Sequence, residues 1–211
     1  SSWTIYLDEN ENGQRDDGEQ STVTGADGSY SFTGLAAGTY TVAEEAQTDW
    51  EQTYPGAQED REVGNTALFS TITKDGYRRA VPYVMSEDGQ IQSISIYHEA
   101  SSGTSLMILA VYADNGGKPG DRLGVTDSTL VSSSAGWQTV ALQSGVDVEA
   151  GQTVWLASVF ENNPGIRYQT GTPGRAASTQ KWSGGMPATF GSSTVKSTIF
   201  SIYATYTVGG T

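Results

Sequence analysis

Cysteine is absent from the 211 residues and histidine occurs once. Without cysteine there are no disulfides and no thiolate metal sites, though export is not excluded. The single imidazole, His98, sits inside an expected strand and is read as structural. Basic residues are scarce, 11 against 24 acidic, for a net charge of −13. Binding a phosphate backbone requires clustered positive charge, so nucleic acid is not an expected partner. No run approaches the roughly 18 apolar residues of a membrane helix, so no membrane insertion is expected, and no segment has the pattern of a signal peptide. Convincing amphipathic helices are missing as well. What remains is rich in Gly (26) and Tyr (11), with five Trp. Short alternating apolar stretches separated by Gly, Asn, Asp and Pro clusters predict an all-β protein.

The charge is unevenly distributed. Residues 1–64 carry 14 acidic and two basic side chains, and residues 65–211 carry ten and nine. The shift predicts two modules, 1–64 and 65–211. Pro55, Gly56 and the polar run 58–62 read as an exposed connection.

Within the first module, residues 8–19 read DENENGQRDDGE. Oxygen side chains fall at positions 1, 3 and 5 (Asp8, Asn10, Asn12). Gly13 is at position 6, Asp16 at 9 and Glu19 at 12. This is the full calcium-loop pattern D-x-[DN]-x-[DN]-G-x5-E. Alternate residues of a curled loop converge on one hard cation. The glycine allows the bend, the Gln14 carbonyl adds an oxygen, and a terminal glutamate closes the shell. The flanks WTIYL (3–7) and QSTVTG (20–25) are strand-like, so a Ca2+ ion held here is expected to be structural rather than a signalling trigger. A solvated acidic turn is the bland alternative.

The module continues as ADGSYSFTGLAAGTYTVAEE (26–45), with strands expected at 29–32 and 39–42. DENENGQRDDGE followed by this segment resembles the B-type repeats of serine-aspartate-repeat surface adhesins, over about residues 3–55. That resemblance implies a calcium-rigidified β-sandwich spacer and places Asp27 near calcium. The family's strands upstream of WTIYLDEN have no counterpart here, so the module reads as truncated and the chain as a piece of a larger secreted or cell-surface bacterial polypeptide. Calcium loops suit the millimolar calcium outside cells.

In the second module, strands are expected at 67–73, 80–85, 91–99, 105–113, 123–131, 138–142, 153–160 and 199–207. Eight or more strands at this spacing suggest a two-sheet jelly roll. GQIQSISIYHEA, LAVYADNGGKPGDRLG, VEAGQTVWLASVFENNPGIRY and WSGGMPATFGSS resemble the β-sandwich carbohydrate-binding modules of secreted bacterial polysaccharide-degrading enzymes. A polysaccharide partner and a catalytic domain elsewhere in the polypeptide are what this resemblance implies.

Catalysis has little material here. No serine nucleophile elbow with partners is present, and no carboxylate pair is evident for glycoside hydrolysis. Binding has more. Trp182 (in QKWSGGMP) and Tyr168 (after NNPGIR) read as loop aromatics, whereas Trp137 and Trp155 read as core. No acidic residue follows Glu161, while Arg167, Arg175, Lys181 and Lys196 do. The expected ligand site is therefore Trp182, Tyr168, Arg167, Arg175 and Lys181, with Tyr77 beside it, and guanidinium groups there would suit an acidic polysaccharide. The competing reading is a pair of stalk or adhesin modules that bind no sugar.

Overall fold

The computed structural model describes residues 2–10, 12–48 and 59–208. The chain divides into two compact units, Ser1–Tyr54 and Pro55–Thr211. Among the described residues there is no α-helix, and no helix long and apolar enough to cross a membrane.

The first unit is a three-stranded antiparallel sheet. Thr4–Leu7 (β1) lies between Ser21–Val23 (β2) and Val42–Glu44 (β3). Ile5, Tyr6 and Leu7 form its buried centre. The expected strand at 29–32 does not join the sheet, although its alternation fits. A strand has two hydrogen-bonding edges, and those of β1 are taken by β2 and β3. Among the described residues the unit therefore contains one three-stranded sheet, which leaves Val23, Tyr30, Leu35, Tyr40 and Val42 between 40 and 56 % exposed.

The second unit is all antiparallel. Its strands are Glu59–Gly64 (β4), Thr71–Thr73 (β5), Arg79–Val84 (β6), Gly89–His98 (β7), Leu106–Asp114 (β8), Pro119–Val125 (β9), Thr129–Leu130 (β10), Gly136–Val148 (β11), Thr153–Phe160 (β12), Ile166–Ala177 (β13), Thr194–Phe200 (β14) and Ile202–Val208 (β15). One sheet runs β9/β10, β8, β12, β6, β13, β14, and the other β11, β7, β15, β4. The pair Ile166 with His98 joins them, and an isolated bridge between Thr126, just after β9, and Leu142 of β11 links them again. Following the chain, β4 is in the second sheet, β6 in the first, β7 in the second, β8 and β9 in the first, β11 in the second, β12 in the first and β15 in the second. This wrapping is a jelly roll, to which the β13–β14 hairpin is added beside β6.

The main core lies between the sheets. Val81, Leu109, Val111, Val154 and Leu156 from the first meet Ile91, Ile94, Ile96, Ile202 and Tyr206 from the second. A second core, on the outer face of the first sheet, contains Ala80, Ala110, Tyr112, Trp155, Ala157 and Val159, covered by Met186 and Phe190. Central β12 is therefore buried on both faces, as its near-continuous apolar run TVWLASVF requires.

Two expectations fail here. Residues 59–62, read as an exposed connection, belong to β4, which pairs with β15 from Glu59–Val208 to Gly64–Tyr203. The division of the chain thus falls before β4, not at Gly64. Pro55, Gly56 and Gln58 lie outside the described residues. Secondly, the Gly/Pro-rich stretch expected to be loop forms β13 and the start of β14. Their ladder is interrupted between Thr170 and Arg175, where Gly174 has φ +91 and a Cβ would meet the Lys196 carbonyl at 2.5 Å. That bulge hides the strand behind a turn-like sequence.

A chain beginning at Asn65 lacks β4, the buried Val63 and the cover over the β15 edge. Val63 alone contributes about 1.5–3 kcal/mol, and each kcal/mol moves the midpoint of a domain this size by about 2–4 °C. The chain from Asn65 should therefore melt at least about 3 °C below one from Pro55. Coincident melting curves would contradict the assignment of β4.

Candidate functional site

The loop that joins β1 to β2 is curled by its own oxygens. Asp8, 5 % exposed, accepts the Asn12 N–H at Oδ1 (3.1 Å) and the Gly13 N–H at Oδ2 (2.8 Å). Glu19 accepts the Glu9 N–H (3.0 Å) and the Asp16 N–H (2.9 Å). The Asn10 and Asn12 carboxamides both reach Asp16 Oδ2, at 2.8 and 2.7 Å. Asn12 Oδ1 accepts the N–H of Gln14 (2.7 Å). Gly13 has φ +72, the left-handed turn expected at position 6. The five predicted side chains thus belong to one small network. Among the described residues no three His, Cys, Asp or Glu side chains gather as a metal cage. The loop's donors are of mixed type, carboxylate and carboxamide. Rotating either carboxamide by 180° would place an oxygen beside Asp16, at the cost of the backbone N–H that its Oδ1 now accepts, from Asn12 at Asn10 and from Gln14 at Asn12. Negative potential already concentrates there. The Tyr6 phenol is raised above its ordinary pKa by burial and then by the charges of Asp8, Glu19, Asp16 and Glu45.

Asp27 does not join this network. Its Oδ1 accepts the Ser29 N–H (3.1 Å) and hydroxyl (2.7 Å), which lowers its pKa. The turn that holds it follows β2, where Thr24 bonds to Trp3. It therefore lies at the opposite end of the sheet from Asp8.

Four of the six residues of the expected sugar site, Lys181, Tyr77, Arg175 and Tyr168, are linked through Arg79 and Phe200, but by packing contacts rather than around an open platform. Residues 178–193 form a strap over the second core. Its carbonyls are gathered by Arg78, 3 % exposed, which donates to Gly185 (3.0 Å), Phe190 (2.6 Å) and Gly184 (3.4 Å), with its guanidinium 4.9 Å from the Phe190 ring centroid. Tyr112 donates to Pro187 O (2.9 Å), and Arg122 to Met186 O. Trp182, in a short 3-10 turn of this strap, packs down onto the second core and is no free platform. Tyr168 packs edge-on to Phe200 at 6.2 Å against the main core. Arg175 lies over the same Phe200 ring (5.3 Å) and donates to Thr198 Oγ1. Arg167 is paired with Glu99. Lys181 lies over Tyr77 (5.2 Å), whose ring also faces Arg79, itself paired with Asp75. Only Lys181 and Tyr77 of the six form an exposed contact.

A different aromatic group is open. Trp137, expected in the core, stands 36 % exposed on the outer face of the second sheet. Tyr97 meets it edge-on at 5.8 Å and Tyr203 lies at 5.0 Å. Arg167 covers the far side of Tyr97 (5.8 Å). The pairing explains the cluster. Trp137 is opposite Tyr97, and the next row holds Thr139, Ser95 and Tyr203. Small Ser95, fully buried and 2.7 Å from the Thr139 hydroxyl, lets the two outer rings close above it. Further along the same face come Ser93, Thr205 and Glu62, then Gln90, Thr207, Asp60 and Asp147. Strand alternation places these residues together, but the sequence does not say which sheet face stays open.

His98 is buried, with Nδ1 2.8 Å from Glu99 O and Nε2 2.9 Å from Gln138 Oε1. It ties β7 to β11.

Compared with known proteins, the chain matches no family model, and no curated protein matches it.

Burial raises the Tyr112 phenol to about 12. A group raised in the fold gives stability that is complete below its unfolded pKa, near 10, and is lost as pH rises through the folded value. Stability should thus fall between about pH 10 and 12, by an amount on the order of 2–3 kcal/mol from this residue. Tyr112→Phe should flatten that part of a urea-unfolding pH series; an unchanged slope would contradict it.

Proposed function

We propose that the chain is a non-catalytic polysaccharide-binding jelly roll carried on a calcium-stiffened spacer, within a larger secreted or cell-surface bacterial polypeptide that acts on polysaccharide. The observation that carries the reading is the open cluster of Trp137, Tyr97 and Tyr203. Sugar rings lay flat C–H faces on aromatic planes, and their hydroxyls need polar partners. The rows of Ser93, Thr205, Thr207 and Gln90 beside the cluster offer those partners.

The charge around this face favours a neutral polysaccharide. Glu62, Asp60 and Asp147 border it; of the arginines that suggested an acidic ligand, Arg167 lies beside Tyr97 but is paired with Glu99, and Arg175 lies over Phe200. Binding raises local substrate concentration for a tethered partner domain. The exposed apolar side chains of the first unit favour the second reading, stacked stalk modules without sugar binding.

Affinity electrophoresis against neutral, carboxylated and sulfated polysaccharides separates the two. Trp137→Ala should weaken retardation by a neutral polysaccharide about five- to thirty-fold, for a stacking contribution of about 1–2 kcal/mol, with little salt dependence. Trp182→Ala should instead lower the melting temperature. Retardation in no gel would favour the stalk. Retardation lost with Trp182 but not Trp137 would return the site to the strap.

For the first unit, Asp8, Asn10, Asn12, Asp16, Glu19 and the Gln14 carbonyl are the proposed Ca2+ ligands. A bound divalent cation would neutralise the converging carboxylates and stiffen the loop. At a hundredfold excess over Kd it would stabilise the fold by about 2.7 kcal/mol. Chelation should lower the melting temperature of this unit. An unchanged melt, together with no heat of calcium binding, would refute the site.

A further inference from the structure

The strap does not cover the whole outer face of the first sheet. Beyond its edge lies an open cleft of about 530 Å3. Pro82, Val84 and Trp155 line its floor, Asp114 stands at one end, and Pro173 and Val195 at the other. These residues come from five neighbouring strands, β8, β12, β6, β13 and β14, so the cleft crosses about 19 Å at the usual strand spacing. Val84 is 62 % exposed and Val195 52 %, high values for apolar side chains that share one concavity.

We propose that this cleft docks an extended, proline-rich polypeptide segment carrying a lysine or arginine, with the basic side chain at Asp114. Three observations converge on that chemistry. The walls offer few hydrogen-bonding groups, so a glycan would bury hydroxyls without partners. A polyproline II segment has no internal hydrogen bonds and keeps its backbone solvated, so it can lay proline rings on the apolar surfaces of Val84, Pro173 and Val195 without that cost, above a floor closed by the buried Pro82 and Trp155. The length fits about six extended residues. The charge is complementary as well. Asp114 accepts the Trp155 indole N–H (2.8 Å) and the Gly117 N–H (3.1 Å), both neutral donors. Among the described residues no ion pair reaches it. Asp114 is exposed at the end of the cleft, so a cation on the incoming segment can pair with it. This site lies on the other sheet from Trp137 and does not rest on the polysaccharide reading.

Fluorescence anisotropy with two labelled proline-rich decapeptides tests it, one carrying arginine and its twin carrying glutamate at the same position. The full chain should bind the arginine peptide in preference to its twin. Val84→Arg, a change at an exposed position whose fold a thermal melt verifies, should weaken that binding at least tenfold. Asp114→Asn should abolish the preference between the peptides. Trp137→Ala should change neither result. Absence of binding by both peptides to the folded wild type, or equal binding by Val84→Arg, would overturn the proposal. So would displacement of the peptide by a neutral polysaccharide from Trp137→Ala protein, which would make the cleft a glycan site.

Discussion

Burial of the first sheet on both faces governs the rest of the jelly roll. Strands β6, β12 and β8 carry apolar side chains to both sides, so something must cover the outer side. The strap at 178–193 does so, but it brings carbonyl groups into an apolar setting, where an unpaired one is costly. Arg78 resolves this by donating to three of them. Its guanidinium is itself desolvated, which lowers its pKa, and the Phe190 ring beneath it provides part of the compensation. Once this arrangement is set, Trp182 must face inward, the cleft at Trp155 begins where the strap ends, and the outer face of the other sheet is left as the open aromatic surface.

The same constraint sorts the charges. Cations in the second half of the chain look like a basic patch when counted along the sequence. In three dimensions most serve the architecture: Arg78 and Arg122 hold the strap, Arg79 and Arg167 pair with Asp75 and Glu99, and Arg175 lies over Phe200. The carboxylates of β4 and β11 meanwhile border the open face. Edge strand β4, with Glu59, Asp60, Arg61 and Glu62, also presents an unbroken run of charged side chains at a sheet margin, a feature that discourages strand addition.

Part of this was legible in the sequence. The curl of the 8–19 loop could be read because its spacing is local, and Asp8, Asn10, Asn12, Asp16 and Glu19 do meet in one hydrogen-bond network. The jelly-roll class was legible from strand spacing, and Trp155 from its unbroken apolar strand. Trp137 and Trp182 were exchanged for a physical reason. Both flank glycine and serine, and which of the two is covered depends on which sheet face the strap crosses, a long-range outcome. β13 was hidden by its bulge at Gly174, and β4 by its charges, since an edge strand needs only one buried side chain, Val63, to be held. Asp27 was misplaced because nearness in sequence to the loop does not reveal that β1 and β2 carry it to the far end of the sheet.

The strap covers the second core on the outer face of the first sheet, whereas the outer face of the second sheet leaves Trp137 exposed. Residue-resolved hydroxyl-radical footprinting of the free protein tests this contrast most directly. Oxidation should be fast at Trp137, slower at Trp182 and nearly absent at Trp155. Trp182 oxidised as fast as Trp137, with Trp137 protected, would contradict it.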